Sequence, residues 1–433
     1  MKRIIENELI KWKNKPDRKP LIVYGARQVG KSYSLLEFGK QNYTNVAYFF
    51  FENNERLQTL FNKGVDKIPS LFMELGAIAG QTISPQTTLV IFDEIQACPA
   101  AITALKRIYE TANEFHVACA GSLLGLALHR DANYSFPVGK VDMLNMFPMN
   151  FKEFLVATNR ESLVGMIKEC YDTDKPLLPA MHELALEQYK TYLAIGGMPE
   201  VVLEYINRND FNFVKAKQLA ICEVYSNDMI KYCTRTEAMR NNAAYNSIPA
   251  QLAKENKKFQ YALIQSGARS KNYADSLFWL EKANIIIKVS KTKEGKMPLA
   301  AYEDLLSFKI YFSDVGLLAA KSNLSATNIL TDSYGGEMKG AVTENFVAQE
   351  LTVNGIRPYY WESNGIAELD FVIQLDYKII PIEAKAGVNT KAKSLDTFRK
   401  KYNIEKSIRI SAKNFGYENG IKSVPLYSVW CIK

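Results

Sequence analysis

From Pro20 onward, short β-branched or aromatic runs alternate with longer amphipathic stretches. LIVYG is followed by KSYSLLEFGKQ and NVAYFFF, and later TTLVIFDE is followed by AAITALKRIYETAN and FHVACAGS. This rhythm of strands and crossover helices predicts a parallel α/β sheet within residues 1–150. From about Phe151 to Arg240 the pattern turns helical, as in EQYKTYLAIGG and FVKAKQLAICEVYSNDMIKY, which predicts a helical lid or linker over 151–240. Residues 241–330 then read as three helices (IPAQLAKEN, YALIQSG, RSKNYADSLFWLEK), a strand, the polar turn KTKEGK and a second strand FKIYFSD. That is the order of a winged helix-turn-helix, with Tyr273, Phe278 and Trp279 as its core. TDSYGG reads as a linker, and residues 331–433 return to a small α/β unit: helix AVTENFVAQELTVNG, strands PYYWES, AELDFVIQ and YKIIPIEAKAG, a lysine-rich helix, and strands near KSIRISA and PLYSVWCI.

Length and composition change this picture little. A chain of 433 residues with 47% hydrophobic and 23% charged residues has enough apolar material for several cores. No apolar stretch approaches the roughly 18–20 residues of a membrane span, and the start of the chain carries no signal-peptide core, so a cytoplasmic protein is expected. Cys98, Cys119, Cys170, Cys222, Cys233 and Cys431 are far apart without a CxxC pair, which predicts reduced thiols. With His116, His129 and His182 as the three histidines, there is little room for a His-rich metal site. The net charge of +8 mildly favours an acidic partner such as nucleic acid.

The sharpest chemistry lies after the first strand. Gly25, Ala26, Arg27, Gln28, Val29, Gly30, Lys31 and Ser32 fit GxxxxGK[ST] between a buried-looking strand and a helix. There the backbone N–H groups can turn inward around the phosphates of ATP, Lys31 can neutralise the β/γ-phosphates, and the Ser32 hydroxyl can reach Mg²⁺. The run LVIFDE ends in Asp93 and Glu94. A carboxylate at the end of such a strand lies beside the phosphate loop, so Asp93 suits the Mg²⁺ water shell and Glu94 the polarisation of the attacking water. FHVACAGS ends at Ser122, where a strand neighbouring the Asp-Glu strand would present a γ-phosphate sensor.

GARQVGKS, LVIFDEIQ, AGSLLG, FPMNFKEFL, YLAIGGMPEVV and KIYFSDVGLLAA together resemble a prokaryotic family of AAA-type P-loop ATPases that continue into a helical, winged-helix and nuclease-like carboxyl half. The resemblance implies an ATP hydrolase with Ser122 as the sensor. Where that family has Gly-Arg ahead of its PMNFKEF-like phrase, this chain has Gly139 and Lys140. Lysine lacks the planar fork suited to transition-state oxygens, and Arg130 is the other candidate for that role.

In the last stretch, Glu344 stands on the first helix, Asp370 in AELDFVI, and Glu383 with Lys385 in PIEAKAG. The arrangement resembles the PD-(D/E)XK nuclease core. Asp370 and Glu383 on adjacent strands can share Mg²⁺ or Mn²⁺ with Glu344 nearby, and Lys385 repeats on the face of Glu383. Nine Lys or Arg against three Asp or Glu over 391–422, and ten against four over 251–296, suit a phosphate backbone; Arg269, Ser270, Lys271 and Asn272 would open a recognition helix, with Lys291, Lys293 and Lys296 in the wing. The expected protein is thus an Mg-dependent ATPase coupled to a DNA-binding, nuclease-like half. Its rival is an ATP-gated switch or scaffold whose carboxyl half docks protein or nucleic acid without cutting. The oligomeric state stays open.

Overall fold

In a computed structural model, which describes residues 1–63, 68–122, 136–363, 367–388 and 393–433, the apolar runs of the first third form β1 (Leu21–Tyr24), β2 (Asn45–Phe50), β3 (Thr88–Asp93), β4 (His116–Gly121) and β5 (Asp142–Asn145). All pair in parallel, in the order β2-β3-β4-β1-β5. Every residue of β3 and β4 is buried, because a parallel sheet has helices on both faces and its central strands have no polar side. Phe49, Phe51 and Phe61 pack edge-on or tilted around Phe92 and anchor this core. Residues 2–147, with 282–284, form one compact unit.

Residues 148–281 and 285–433 form the other. It begins with the helical run, from Phe151–Ala157 to Arg235–Leu252. An eight-stranded mixed sheet follows, built from β6 (Ile286–Thr292), β7 (Glu303–Phe312), β8 (Tyr359–Ser363), β9 (Ala367–Leu375), β10 (Lys378–Ala384), β11 (Ser407–Ser411), β12 (Gly416–Glu418) and β13 (Ile421–Pro425). Its order is β12-β13-β11-β10-β9-β8-β6-β7. The hairpin β6–β7, read as a wing, therefore continues the sheet of the last stretch: Ser290 and Lys291 pair in parallel with Tyr359 and Tyr360.

Several local expectations change. YALIQSG forms only a 3₁₀ turn, Tyr261–Leu263, and Phe278 is half exposed while Tyr273 and Trp279 are buried. PLYSVWCI is a buried 3₁₀ helix, Leu426–Cys431, rather than a strand; an apolar run buried on all sides carries no period that distinguishes the two. The last strand is instead β13, which pairs in parallel with β11 and antiparallel with β12, the latter joined to it through Asn419 and Gly420, both at positive φ. TDSYGG connects the helices Ala326–Leu330 and Gly336–Val353 and is tied down by Asp332, which meets Lys190 at 2.8 Å and Lys339 at 3.0 Å.

Three of the phrases singled out in the sequence meet inside this unit. The Gly197 N–H donates to Asp314 Oδ2 at 2.6 Å, the Met149 N–H donates to the Gly197 carbonyl at 2.6 Å, and a Cβ on Gly197 would lie 1.9 Å from the Met149 oxygen. The helix Gly336–Val353 is buried at every position from Ala341 to Leu351, so its polar side chains serve other segments. Asn345 brackets the backbone of Phe312, Gln349 accepts from the Val315 N–H, and Glu350 accepts from the Phe151 N–H.

Candidate functional sites

The phosphate-binding motif starts where β1 ends. Gly25 takes φ 153°, and a Cβ there would stand 2.1 Å from the Met146 carbonyl oxygen, which explains the requirement for glycine. Gly30, at φ 94°, turns the loop into the helix Lys31–Asn42, so Lys31 and Ser32 occupy the first turn, where helical geometry offers backbone N–H groups no intrahelical acceptor. Lys31 is buried, and its ammonium donates to the carbonyls of Gly25 (3.0 Å) and Ala26 (2.8 Å). The loop is braced by a residue that the motif does not contain: buried Arg3 donates to the carbonyls of Val29 and Phe147, both at 2.8 Å.

Strand register brings the other groups to the same sheet edge. Tyr24 pairs with Gly121 and Phe92 with Cys119, so β4 stands between the phosphate-loop strand and the Asp-Glu strand, and Ser122 emerges between them. Buried Asp93 accepts from the Tyr48 hydroxyl at 2.5 Å and from the Glu94 N–H at 2.9 Å. Burial, and then the bond to Asp93, keep the Tyr48 phenol protonated well above its ordinary range. Glu94 sits at φ 50°, a conformation costing roughly 1–3 kcal/mol for a residue with a Cβ. Gln96 donates to Glu94 Oε2 and, at 3.4 Å, to the Ser122 hydroxyl, linking the two. Arg3, Tyr48 and Gln96 escaped the sequence reading. Only Gln96, two places after Glu94, stood near a motif.

Lys140 ion-pairs with Glu110 at 3.0 Å. It precedes Asp142, which pairs with Leu21 at the end of β1 opposite the phosphate loop, so Lys140 does not reach the phosphates of its own chain. Arg130 lies outside the described residues.

The second cluster lies on the mixed sheet. Phe371 pairs with Ile382, so Asp370 and Glu383 are neighbours across β9 and β10; Asp370 Oδ2 accepts from the Ala384 N–H at 2.8 Å, and Lys385 meets Glu383 at 3.1 Å. Glu344 is buried and held by Lys257 (2.9 Å), the Tyr311 hydroxyl (2.9 Å) and Lys309 (3.5 Å). Lys309 also meets Glu368 at 2.6 Å. Burial works to raise Glu344, but the two ammoniums outweigh it and keep the carboxyl below its ordinary range. Asp370 goes the other way: burial first, and then the Glu344 anion, push it up to about 7. Among the described residues, no group of three or more His, Cys, Asp or Glu is placed to hold a metal ion. Lys257, Lys309, Tyr311 and Glu368 were not anticipated, although a lysine inside the apolar strand FKIYF was a visible signal.

The basic stretches are partly consumed by the fold. Arg399 donates to the carbonyls of Glu405 and Asn419, Lys422 bonds Tyr171 and Asp174, and Lys291 pairs with Glu362 at 2.7 Å. Arg269, Lys271 and Lys293 remain exposed. Among the described residues no helix is long and apolar enough to cross a membrane.

Comparison with known proteins finds three matched stretches. Residues 17–155 match an AAA domain, 186–328 a domain of unknown function (DUF8612), and 339–429 another domain of unknown function (DUF4143). An uncharacterized protein of Methanocaldococcus jannaschii is 23% identical over 217 residues, covering 45% of this chain and 41% of that relative's length. Among solved structures, a Walker-type ATPase of Pyrococcus abyssi is 16% identical with TM-score 0.41, covering 73% of this chain and 95% of that one. The Aeropyrum pernix Orc1 protein, solved with DNA, is 10% identical with TM-score 0.28, covering 77% and 93%. The phosphate loop, the order of the five parallel strands and the match over residues 17–155 together identify the amino-terminal unit as an AAA-type P-loop ATPase domain.

Proposed function

We propose that the chain is an ATP-driven switch: the amino-terminal unit binds and hydrolyses Mg-ATP, and its nucleotide state governs a carboxyl half that docks on DNA. The observation that carries this reading is the emergence of the Lys31 loop, Asp93, Glu94 and Ser122 at one edge of one sheet. Arriving ATP gives Lys31 the β/γ-phosphates in exchange for the carbonyls of its own loop, while the first helical turn receives the phosphate oxygens. Ser32 and Asp93 suit Mg²⁺, which when bound supplies positive charge to the phosphates. Glu94, once its bond to Gln96 is rearranged, polarises the attacking water, and Ser122 contacts the γ-phosphate.

Exposed Arg269, Lys271 and Lys293 supply phosphate contacts for DNA. A second reading, metal-dependent cleavage by Asp370, Glu383 and Lys385 with Mg²⁺ or Mn²⁺, draws on the pairing of the first two across adjacent strands. The test is phosphate release measured alone, with duplex and with single-stranded DNA. Release that rises with DNA is expected. Absence of release at saturating ATP under all three conditions overturns the ATPase reading, and release indifferent to DNA overturns the coupling.

A further inference from the structure

We propose that the groove between the turn 293–297, the β9–β10 hairpin and the loop 403–406 binds single-stranded nucleic acid, with Tyr377 stacking on a base and Lys296, Lys378 and Lys406 meeting the phosphates. The inference rests on the reading that the carboxyl half docks on DNA, and it names the form of nucleic acid that this surface takes.

Three segments far apart in the chain build the groove, which holds about 510 Å³, within the roughly 300–1,000 Å³ of ligand sites. The first is the KTKEGK turn. A Cβ on Gly295 would stand 2.5 Å from Phe398 Cζ and 2.6 Å from Tyr402 Cδ2, so the turn lies flat on the helix Lys393–Tyr402 instead of projecting as a wing tip. The loop 403–406 is pinned by Arg399, which donates to the carbonyls of Ile404 at 3.3 Å and Glu405 at 2.9 Å. In the hairpin, Leu375 pairs with Lys378 across Asp376 and Tyr377, and Asp376 supplies the positive φ of 50°. The walls are thus formed before any ligand arrives.

Tyr377 has no part in a core. It is 88% exposed and lines the groove with Met297, itself 46% exposed. A single exposed apolar side chain is ordinary on a protein surface, but this ring shares its groove with three ammoniums against one carboxylate, Glu405. Lys378 and Lys406 are exposed and have no ion-pair partner among the described residues, and Lys296 meets Glu294 at 3.5 Å. Lys293, exposed in the same turn, extends the basic side, while Asp376 lies outside the groove lining.

The lysines call for an anion, and the ring decides which. A duplex keeps its base faces stacked inside and offers an open ring nothing to cover it. An acidic peptide brings carboxylates without a flat face at each step. Every base of a single strand has a free π-face beside its phosphate, and a basic groove carrying an aromatic platform is the arrangement that holds such a strand.

Full-length protein, free of nucleotide, is titrated into fluorescent oligothymidylate and into duplex DNA, and binding is read by anisotropy. Tyr377→Ala should weaken oligothymidylate binding about 10-fold, the worth of one base–aromatic stack, while Tyr377→Phe keeps it and duplex affinity stays as in wild type. Lys378→Gln/Lys406→Gln should lower the slope of log affinity against log salt by about 1.4 on the single strand, the share of two phosphates. These side chains are exposed, so melting temperatures should match wild type. Oligothymidylate binding unaltered in Tyr377→Ala overturns the proposal, as does an equal loss on duplex. Polyglutamate bound as tightly as oligothymidylate overturns it in favour of an acidic peptide. Arg269→Gln/Lys271→Gln, run alongside, separates this inference from the reading beneath it. If that variant weakens DNA binding while Tyr377→Ala does not, docking on DNA stands and the groove's part in it falls; if wild type binds neither form of DNA, both fall.

Discussion

The phosphate-binding edge and the carboxyl-terminal cluster both gather acids and lysines at strand ends, but they treat charge in opposite ways. At the first, neutral groups hold the charged ones: Tyr48 and a backbone N–H on Asp93, Gln96 on Glu94, carbonyls on Lys31. Such partners can be exchanged for phosphate or water without leaving a buried ion alone. At the second, ammonium meets carboxylate directly, with Lys309 between Glu344 and Glu368. Exchange there exposes an unpaired buried charge, which costs several kcal/mol. Residue types alone do not separate the two clusters; the partners do.

The largest effect that sharpens the contrast is on nucleotide binding. Lys31→Ala should weaken ATP affinity by about 100-fold or more, measured by equilibrium binding of a fluorescent analogue, because the motif lysine proposed to hold the β/γ-phosphates is gone. Lys309→Met should instead leave ATP affinity unchanged and cost about 3–5 kcal/mol in urea unfolding, the range for breaking a buried pair. Equal loss of stability in the two variants would erase the distinction.

A smaller effect concerns pH. Burial pushes Glu350 up to about 8, with one oxygen receiving the Phe151 N–H and the other lacking a hydrogen-bond partner among the described residues. Its folded pKa lies above the ordinary 4.5, so its contribution to stability is complete below that value and declines as pH rises toward about 8. Asp314, raised to about 6 by burial, acts with the same sign. Glu350→Gln should flatten the fall in melting temperature across that window, and an unchanged profile would assign the pH dependence elsewhere. The smallest effect is on DNA: neutralising Arg269 and Lys271 should reduce the slope of log affinity against log salt by up to about 1–2, whereas Lys291→Gln, whose lysine is paired with Glu362, should not. Equal slopes for both variants would remove the distinction between free and internally paired cations.

The proposed phosphate site is legible in the sequence because its motif is local. Gly25 to Ser32 are consecutive, and Asp93 and Glu94 end a strand whose apolar run shows in the sequence. Its supports were not, since Arg3 reaches Val29 across the fold and Tyr48 meets Asp93 through strand pairing. The carboxyl-terminal cluster was half legible. Asp370, Glu383 and Lys385 follow strand alternation, but Lys257 and Lys309 come from segments far along the chain that only the shared sheet and its packing bring near Glu344. The wing reading failed to anticipate that sheet because β6 looks the same in sequence whether its second neighbour is solvent or β8.

The most direct test of an ATP-hydrolysing amino-terminal unit is single-turnover phosphate release by Glu94→Gln alongside wild type, with bound ATP measured in the same samples. The account predicts that Glu94→Gln binds ATP as wild type does and releases phosphate at least about 100-fold more slowly, since the nucleotide cradle is intact and the water-polarising carboxylate is gone. Release at the wild-type rate from fully bound Glu94→Gln would contradict it.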